Sequence, residues 1–302
     1  MIVDGKWIGK FDPMQGEDAQ GKFNRKASTF RNQTVFADKG RYILYVGYIC
    51  PWAHRTLIAR ALNTLEEFVE VVVLDPALSE QGWSFGSYKG TTPDPIINAR
   101  YMHELYTLAD PSYSGRATIP VLWDKFENTI VNNESADILK IFNSGFGKRD
   151  YDLRPTSLLS EMDELNLTLY DKLNNGVYKT GFAKTQASYL AAVNEIFECL
   201  DDTESLLSDG RRYLLGDQLT ETDIRLYATL IRFDIAYYGA FKCNVKRISD
   251  YSYVQAYLEA LYKMDAFGLT TNFEHIKQGY YSIEAINPHR IVPKGPVLEW
   301  AQ

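Results

Sequence analysis

Between Arg41 and Leu74 the chain reads strand, helix, strand, and no other feature limits its possible folds so strongly. Arg41-Tyr-Ile-Leu-Tyr-Val-Gly47 is a run of β-formers behind the polar Asp38-Lys39-Gly40 turn. Pro51 suits a first helical turn, and Ala53, Leu57 and Ala61 with Thr56 and Arg60 carry a helical pattern to about Leu62. Phe68-Val-Glu-Val-Val-Val-Leu74 is a second strand, expected to be buried on both faces and parallel to the first. The result is a β-α-β unit.

Further along, Gln81 to Pro95 is rich in Gly, Ser, Thr and Pro and reads as a long loop. The spacing of Tyr101, Leu105 and Leu108 predicts a helix over Ile97 to Leu108. Ile119-Pro-Val-Leu-Trp123 and Thr129-Ile-Val131 flank a polar turn and form a hairpin, after which Asn132 to Ser135 starts a helix holding Ile138, Leu139 and Phe142. The order is β-α-β-α-β-β-α. Past Gly145 a charged connector, with a linker near Phe146 to Pro155, gives way to helical periods only. Leu158, Met162, Leu165, Leu169 and Leu173 form one stripe, and Leu190, Val193, Phe197 and Leu200 another. Thr220-Glu-Thr-Asp223 is a capping-box start, and Val254, Leu258 and Leu261 end the series. The chain therefore divides into an N-terminal arm (1–40), a small α/β domain (41–147) and a helical C-terminal domain with a tail (148–302).

Composition narrows the function classes. A net charge of -7 gives no electrostatic footprint for nucleic acid or anionic membrane. Met1 to Met14 has no apolar core of a secretory signal, and Phe68 to Leu74 is far shorter than the roughly 20 residues of a membrane helix. Lys22, Arg25, Lys26 and Arg31 with Ser28 and Thr29 resemble a transit peptide faintly, but Glu17 and Asp18 oppose that reading. Only 3 Cys are present, so no disulfide framework is expected and a cytoplasmic, reducing setting is. The 21 Tyr exceed what packing alone requires.

Cys50 carries the chemistry. It falls where the first strand ends and Pro51 begins a helix, so its thiol faces unpaired amides at the positive end of the helix dipole. Such a position lowers a cysteine pKa from about 8.5 toward the range of about 3.5 to 7.5. Ala53 stands where a Cys-x-x-Cys pair would place its second thiol, so an outside thiol must resolve any adduct. Cys199 and Cys243 read as packing residues. His54, His103, His275 and His289 share no metal-ligand spacing, and no metal is expected.

The motifs Tyr48-Ile-Cys-Pro-Trp-Ala-His-Arg-Thr-Leu57, Gly82-Trp-Ser-Phe85, Gly115-Arg-Ala-Thr-Ile-Pro-Val-Leu-Trp-Asp-Lys125, Asn132-Asn-Glu-Ser135 and Arg232-Phe-Asp234 closely resemble the xi-class glutathione transferases, the glutathionyl-hydroquinone reductases. The similarity runs from about Trp7 to Pro296. The first motif also suits the omega class, whereas Val177-Tyr-Lys-Thr-Gly-Phe-Ala183, Phe241-Lys-Cys-Asn244 and Asn287-Pro288 match xi. The resemblance implies a glutathione transferase fold: a thioredoxin-like α/β N-terminal domain plus an all-α helical C-terminal domain, assembled as a homodimer. It implies glutathione as co-substrate and glutathionylated hydroquinones as substrates.

By the same resemblance Cys50 is the nucleophile and Trp83 lies against the tripeptide. Arg116, Ala117, Thr118 and Ile119 bind it through the Ile119 backbone, ahead of a cis Pro120, while Glu134 and Ser135 hold its γ-glutamyl end. Tyr178, Tyr237 and Tyr280 line the hydroquinone site: Tyr178 protonates the leaving aryl carbon or positions its hydroxyls, and Tyr237 and Tyr280 hydrogen-bond the thiolate. Ile235-Ala236, Ala240, Gly279 and Ser282-Ile283 depart from the xi pattern, which bears on the hydroquinone preference. Two other readings share the scaffold, an omega-like thioltransferase or dehydroascorbate reductase and a non-catalytic ligand carrier.

Overall fold

A computed structural model describes residues 1–9, 28–147 and 150–301. These form two compact units, the first built from residues 1–9, 28–147, 150 and 274–282, the second from 151–273 and 283–301. Lys22, Arg25 and Lys26 of the transit-like stretch and Lys148 of the linker lie outside the described residues.

In the first unit a short hairpin, β1 (Ile2–Val3) and β2 (Lys6–Trp7), precedes a four-stranded sheet. That sheet comprises β3 (Tyr42–Val46), β4 (Val69–Val73), β5 (Val121–Asp124) and β6 (Thr129–Asn132) in the order β4-β3-β5-β6. β3 and β4 run parallel with Tyr42 opposite Val69, and β3 and β5 run antiparallel with Tyr45 opposite Val121. The crossover is α1 (Pro51–Leu62), which packs beside α3 (Ser135–Ser144) and is joined to it where Asn63 Nδ2 donates to the Phe142 carbonyl at 3.2 Å. β3 is central and wholly buried.

Two expectations are corrected here. β4 is the outer strand, and its first half sits at the rim, where Glu70 is exposed and lies 3.4 Å from Lys125. It is not buried on both faces. Helix α2 spans Met102–Ala109 rather than starting at Ile97. The buried Asp94 carboxylate takes the amides of Ile97 (2.9 Å) and Ala99 (3.0 Å), Asn98 is left-handed (φ 52°), and Glu104 Oε1 takes the amides of Arg100 and Tyr101. Side-chain acceptors thus capture the donors that a longer helix needs.

The second unit is helical. Its elements are α4 (Leu159–Thr168), α5 (Gly176–Gly181), α6 (Gln186–Leu207), α7 (Glu221–Arg232), α8 (Tyr238–Ala240), α9 (Ser252–Tyr262) and α10 (Asp265–Gly268), with π-helical turns at Leu169–Asn174 and Phe233–Tyr237. The capping box at α7 is formed: Asp223 accepts from the Thr220 amide at 2.8 Å and from its hydroxyl at 3.0 Å, and also from the Leu214 amide and the Tyr257 hydroxyl. Val193, Phe197 and Leu200 are buried along α6, but Leu190 is 47% exposed, because the inward face of α6 begins only at Ala192. Nor does the helical series end at Leu261. After α10 comes α11 (Phe273–Tyr281), whose residues 274–281 belong to the first unit.

At the start of β3 the buried Arg41 guanidinium donates to Asp124 (2.7 to 3.0 Å) and Asp38 (2.9 Å) and lies over the rings of Phe36 and Phe126. Burial raises the Asp124 carboxyl, but the bonds from Arg41 and from the Glu127 and Phe126 amides outweigh it and hold the group below the ordinary carboxylate range. A depressed carboxyl contributes stability above its unfolded value of about 3.9 and loses it as pH falls through the folded value. Asp124→Asn should therefore lower the urea midpoint at pH 7, and the gap to wild type should narrow as pH drops below about 3.9, followed by circular dichroism.

Candidate active site

Cys50 caps α1 from an extended backbone (φ -77°, ψ 115°), with Pro51 as the first helical residue. It is 9% exposed, and its Sγ lies 3.7 Å from the Ile119 carbonyl oxygen. The Ile119–Pro120 peptide is cis. Gly47 makes this approach possible: a Cβ there would stand 3.0 Å from Ile119 Cδ1 and 3.6 Å from the Trp83 ring. Cys50, Ile119 and Trp83 thus converge at the carboxyl end of β3. The α1 amides and dipole favour a thiolate at this cap. Ala53, wholly buried one turn on, offers no second thiol.

The segment from Arg116 to Ile119 is held from behind by two tyrosines. Tyr106 Oη donates to the Thr118 carbonyl at 2.9 Å and accepts from the Thr118 amide (3.2 Å) and from Asn133 Nδ2 (3.0 Å). Tyr113 Oη donates to the Arg116 carbonyl at 3.0 Å. Burial pushes the Tyr106 hydroxyl up to about 12, so it stays a neutral donor. Arg116, Ala117 and Thr118 are half-buried; Ile119 and Pro120 are buried. Glu134 is the N-cap of α3, its Oε1 accepting from the Ala136 amide at 3.2 Å, and Ser135 beside it is buried. Neither Tyr106 nor Tyr113 stands out in the sequence except through the tyrosine surplus, and Asn133 appears there only inside the Asn132 to Ser135 motif.

Helix α11 brings Tyr280 into the same unit. Gly279 is required by contact: a Cβ there would stand 2.3 Å from Ile49 Cδ1 and 2.6 Å from the Pro76 carbonyl oxygen. This departure from the xi pattern thus sits against the residue preceding Cys50. His275 Nε2 is 2.8 Å from the Lys89 carbonyl oxygen, its ring meets Tyr48 and Tyr88 edge-on, and Tyr88 Oη donates to Glu274 at 2.9 Å. Tyr280 is buried.

Tyr178 and Tyr237 belong to the second unit, with ring centroids 6.3 Å apart and Phe241 against both. Gly181 admits Phe241, because a Cβ at 181 would meet that ring at 2.4 Å. The two motifs that match xi, 177–183 and 241–244, therefore pack together. Ile235, Ala236 and Ala240 are buried packing residues. Burial pushes the Cys199 thiol up to about 11 and raises Cys243 further, which keeps both thiols protonated. Among the described residues no group of three His, Cys, Asp or Glu could hold a metal ion.

A cysteine capping a helix opposite a cis-proline loop, on a thioredoxin-like unit followed by a helical one, defines the glutathione transferase class. The glutathione S-transferase N-terminal domain family matches residues 49–144 and the C-terminal domain family residues 186–260. Similar proteins include glutathionyl-hydroquinone reductase YqjG of Escherichia coli strain K12, 45% identical over 98% of this chain and 94% of that one. Glutathionyl-hydroquinone reductase PcpF of Sphingobium chlorophenolicum is 44% identical over 98% and 96%. The crystal structure of the xi glutathione S-transferase from Phanerochaete chrysosporium is 48% identical over 91% of this chain and 98% of that one, with a TM-score of 0.88. The chain belongs to the glutathione S-transferase family, and within it to the xi class.

Tyr106→Phe removes a buried hydroxyl that serves three partners and strands the polar groups of Thr118 and Asn133. We expect a loss of about 1 to 3 kcal/mol in urea unfolding.

Proposed function

We propose that this chain reduces glutathionyl-hydroquinones to hydroquinones with glutathione as reductant, through a Cys50-glutathione mixed disulfide. The observation that carries the reading is the Cys50 sulfur at the α1 cap, 3.7 Å from the carbonyl of the cis-proline loop and with alanine at position 53. The Cys50 thiolate attacks the glutathione sulfur of the substrate. The carbon–sulfur bond breaks, its electron pair goes to the aryl carbon, and a proton there completes the free hydroquinone. With no internal thiol to resolve it, the mixed disulfide is attacked by a second glutathione thiolate, which releases oxidised glutathione and restores Cys50.

Trp83 lies against the tripeptide, and Arg116, Ala117, Thr118 and Ile119 offer it the backbone ahead of Pro120. Glu134 and Ser135 take the γ-glutamyl end, since a helix N-terminus favours a carboxylate and a glutamate pairs an ammonium. The resemblance to xi assigns Tyr178 proton donation or orientation of the hydroxyls, and assigns Tyr237 and Tyr280 to the thiolate. Relatives that bear the name of this activity, 45% and 44% identical over 98% of this chain, support the reading.

Wild type incubated with a glutathionylated hydroquinone and excess glutathione should release the hydroquinone, and Cys50→Ser should not. Undiminished release by Cys50→Ser would overturn the reading. Iodoacetamide labelling of Cys50 should titrate well below 8.5; a midpoint near 8.5 would favour a ligand carrier. We further propose a cytoplasmic setting, in keeping with three free cysteines, and a homodimer, as the xi resemblance implies. Light scattering on the purified chain should return twice the 34.5 kDa of one copy.

A further inference from the structure

We infer that the segment 28–32 positions the γ-glutamyl end of glutathione, with Ser28 as the residue that sets the Glu134 carboxylate. The inference rests on the glutathione site proposed above. The segment runs beside β6, with Arg31 bridged antiparallel to Asn132 and the Asn32 amide donating to the Val131 carbonyl at 3.1 Å. Arg31 is ion-paired with the buried Asp137 of α3. The backbone of Phe30 is clamped to Asn133 from both sides: the Phe30 amide donates to Asn133 Oδ1 at 3.2 Å, and the Asn133 amide donates to the Phe30 carbonyl at 3.0 Å. Such pairing fixes where Ser28 falls.

Ser28 Oγ donates to Glu134 Oε2 at 3.0 Å and lies 3.3 Å from the Asn133 carbonyl oxygen. The other carboxylate oxygen accepts from the Ala136 amide. Glu134 is thus held at both oxygens, one by its own helix and one by a residue 106 positions away. Each oxygen has a second lone pair, so an ammonium can still be accepted. The same segment reaches the other half of the site. The Phe30 ring packs on Tyr113 (5.6 Å, stacked) and against Tyr106 (5.8 Å, edge), the two tyrosines that hold the carbonyls of Arg116 and Thr118. A carboxylate held in advance loses less freedom when its ligand arrives, which is where a single remote hydroxyl gains leverage on affinity.

Ser28→Ala in the full chain should raise the Kd for glutathione about three- to tenfold, the size of one ordinary net hydrogen bond. It should leave the Kd for cysteinylglycine, which lacks the γ-glutamyl group, where wild type has it. Ser28→Thr, which keeps the hydroxyl, should restore glutathione binding. Titration calorimetry reads all of these, and alkylation of Cys50 without ligand reports whether the nucleophile's turn is intact. An unchanged Kd for glutathione, an equal loss for both ligands, or slowed alkylation in Ser28→Ala would overturn the inference and leave the proposed function standing. Failure of wild type to bind glutathione would overturn both.

Discussion

The approach of the Cys50 cap to the Ile119 carbonyl is the contact on which the rest of the site depends. It needs a strand that ends in the interior of a sheet, a helix that starts a short turn behind it, and a loop leading into β5 that folds in with a cis proline. β3 supplies the first because it lies between β4 and β5 with all of its residues buried. Pro51 supplies the second, since its fixed φ is already helical and its missing N–H is one the first turn cannot satisfy anyway. Gly47 lets the third come close. The Cys50 turn is set by backbone geometry, and the side chains around it chiefly hold that geometry still.

Tyrosine is the means by which much of this holding is done. Tyr106 and Tyr113 anchor the loop before Pro120, Tyr45 donates to Asp94 in the turn that precedes α2, Tyr88 donates to Glu274 on α11, and Tyr257 donates to Asp223 in the α7 capping box. The hydroxyls of Tyr45, Tyr88 and Tyr257 reach carboxylates distant in sequence, while those of Tyr106 and Tyr113 hold backbone carbonyls nearer by. Burial keeps these phenols protonated and therefore donors. A phenylalanine could take over the packing of any of them but not the bond. The abundance of tyrosine thus reflects how many irregular segments this fold must fix in place, in addition to any role in substrate binding.

Much of the architecture was legible in the residues because its causes are local. Pro51 behind a β-run marked the start of α1, the polar turn between two short apolar runs marked the β5–β6 hairpin, and Thr220 with Asp223 marked α7. Where causes are remote, local patterns misled. The periodicity of residues 97–108 is helical, yet Asp94 and Glu104 take the backbone donors first and delay α2 to Met102. Leu190 fits the stripe of α6 by spacing, but which end of a long helix is covered depends on its neighbours, and Leu190 stays exposed.

By itself the sequence determined the strand-helix-strand order, the placing of a lone thiol at a helix N-terminus, the lack of a resolving partner at Ala53 and the motifs of the xi class. All of these follow from residues within a few positions of one another. Only the tertiary structure decided that Gly279 must be bare because Ile49 and the Pro76 carbonyl stand against it, that Gly181 is bare because Phe241 does, and that Ser28 meets Glu134. Each is a contact between segments far apart along the chain. Its physical content is a distance of a few ångströms that no local spacing encodes.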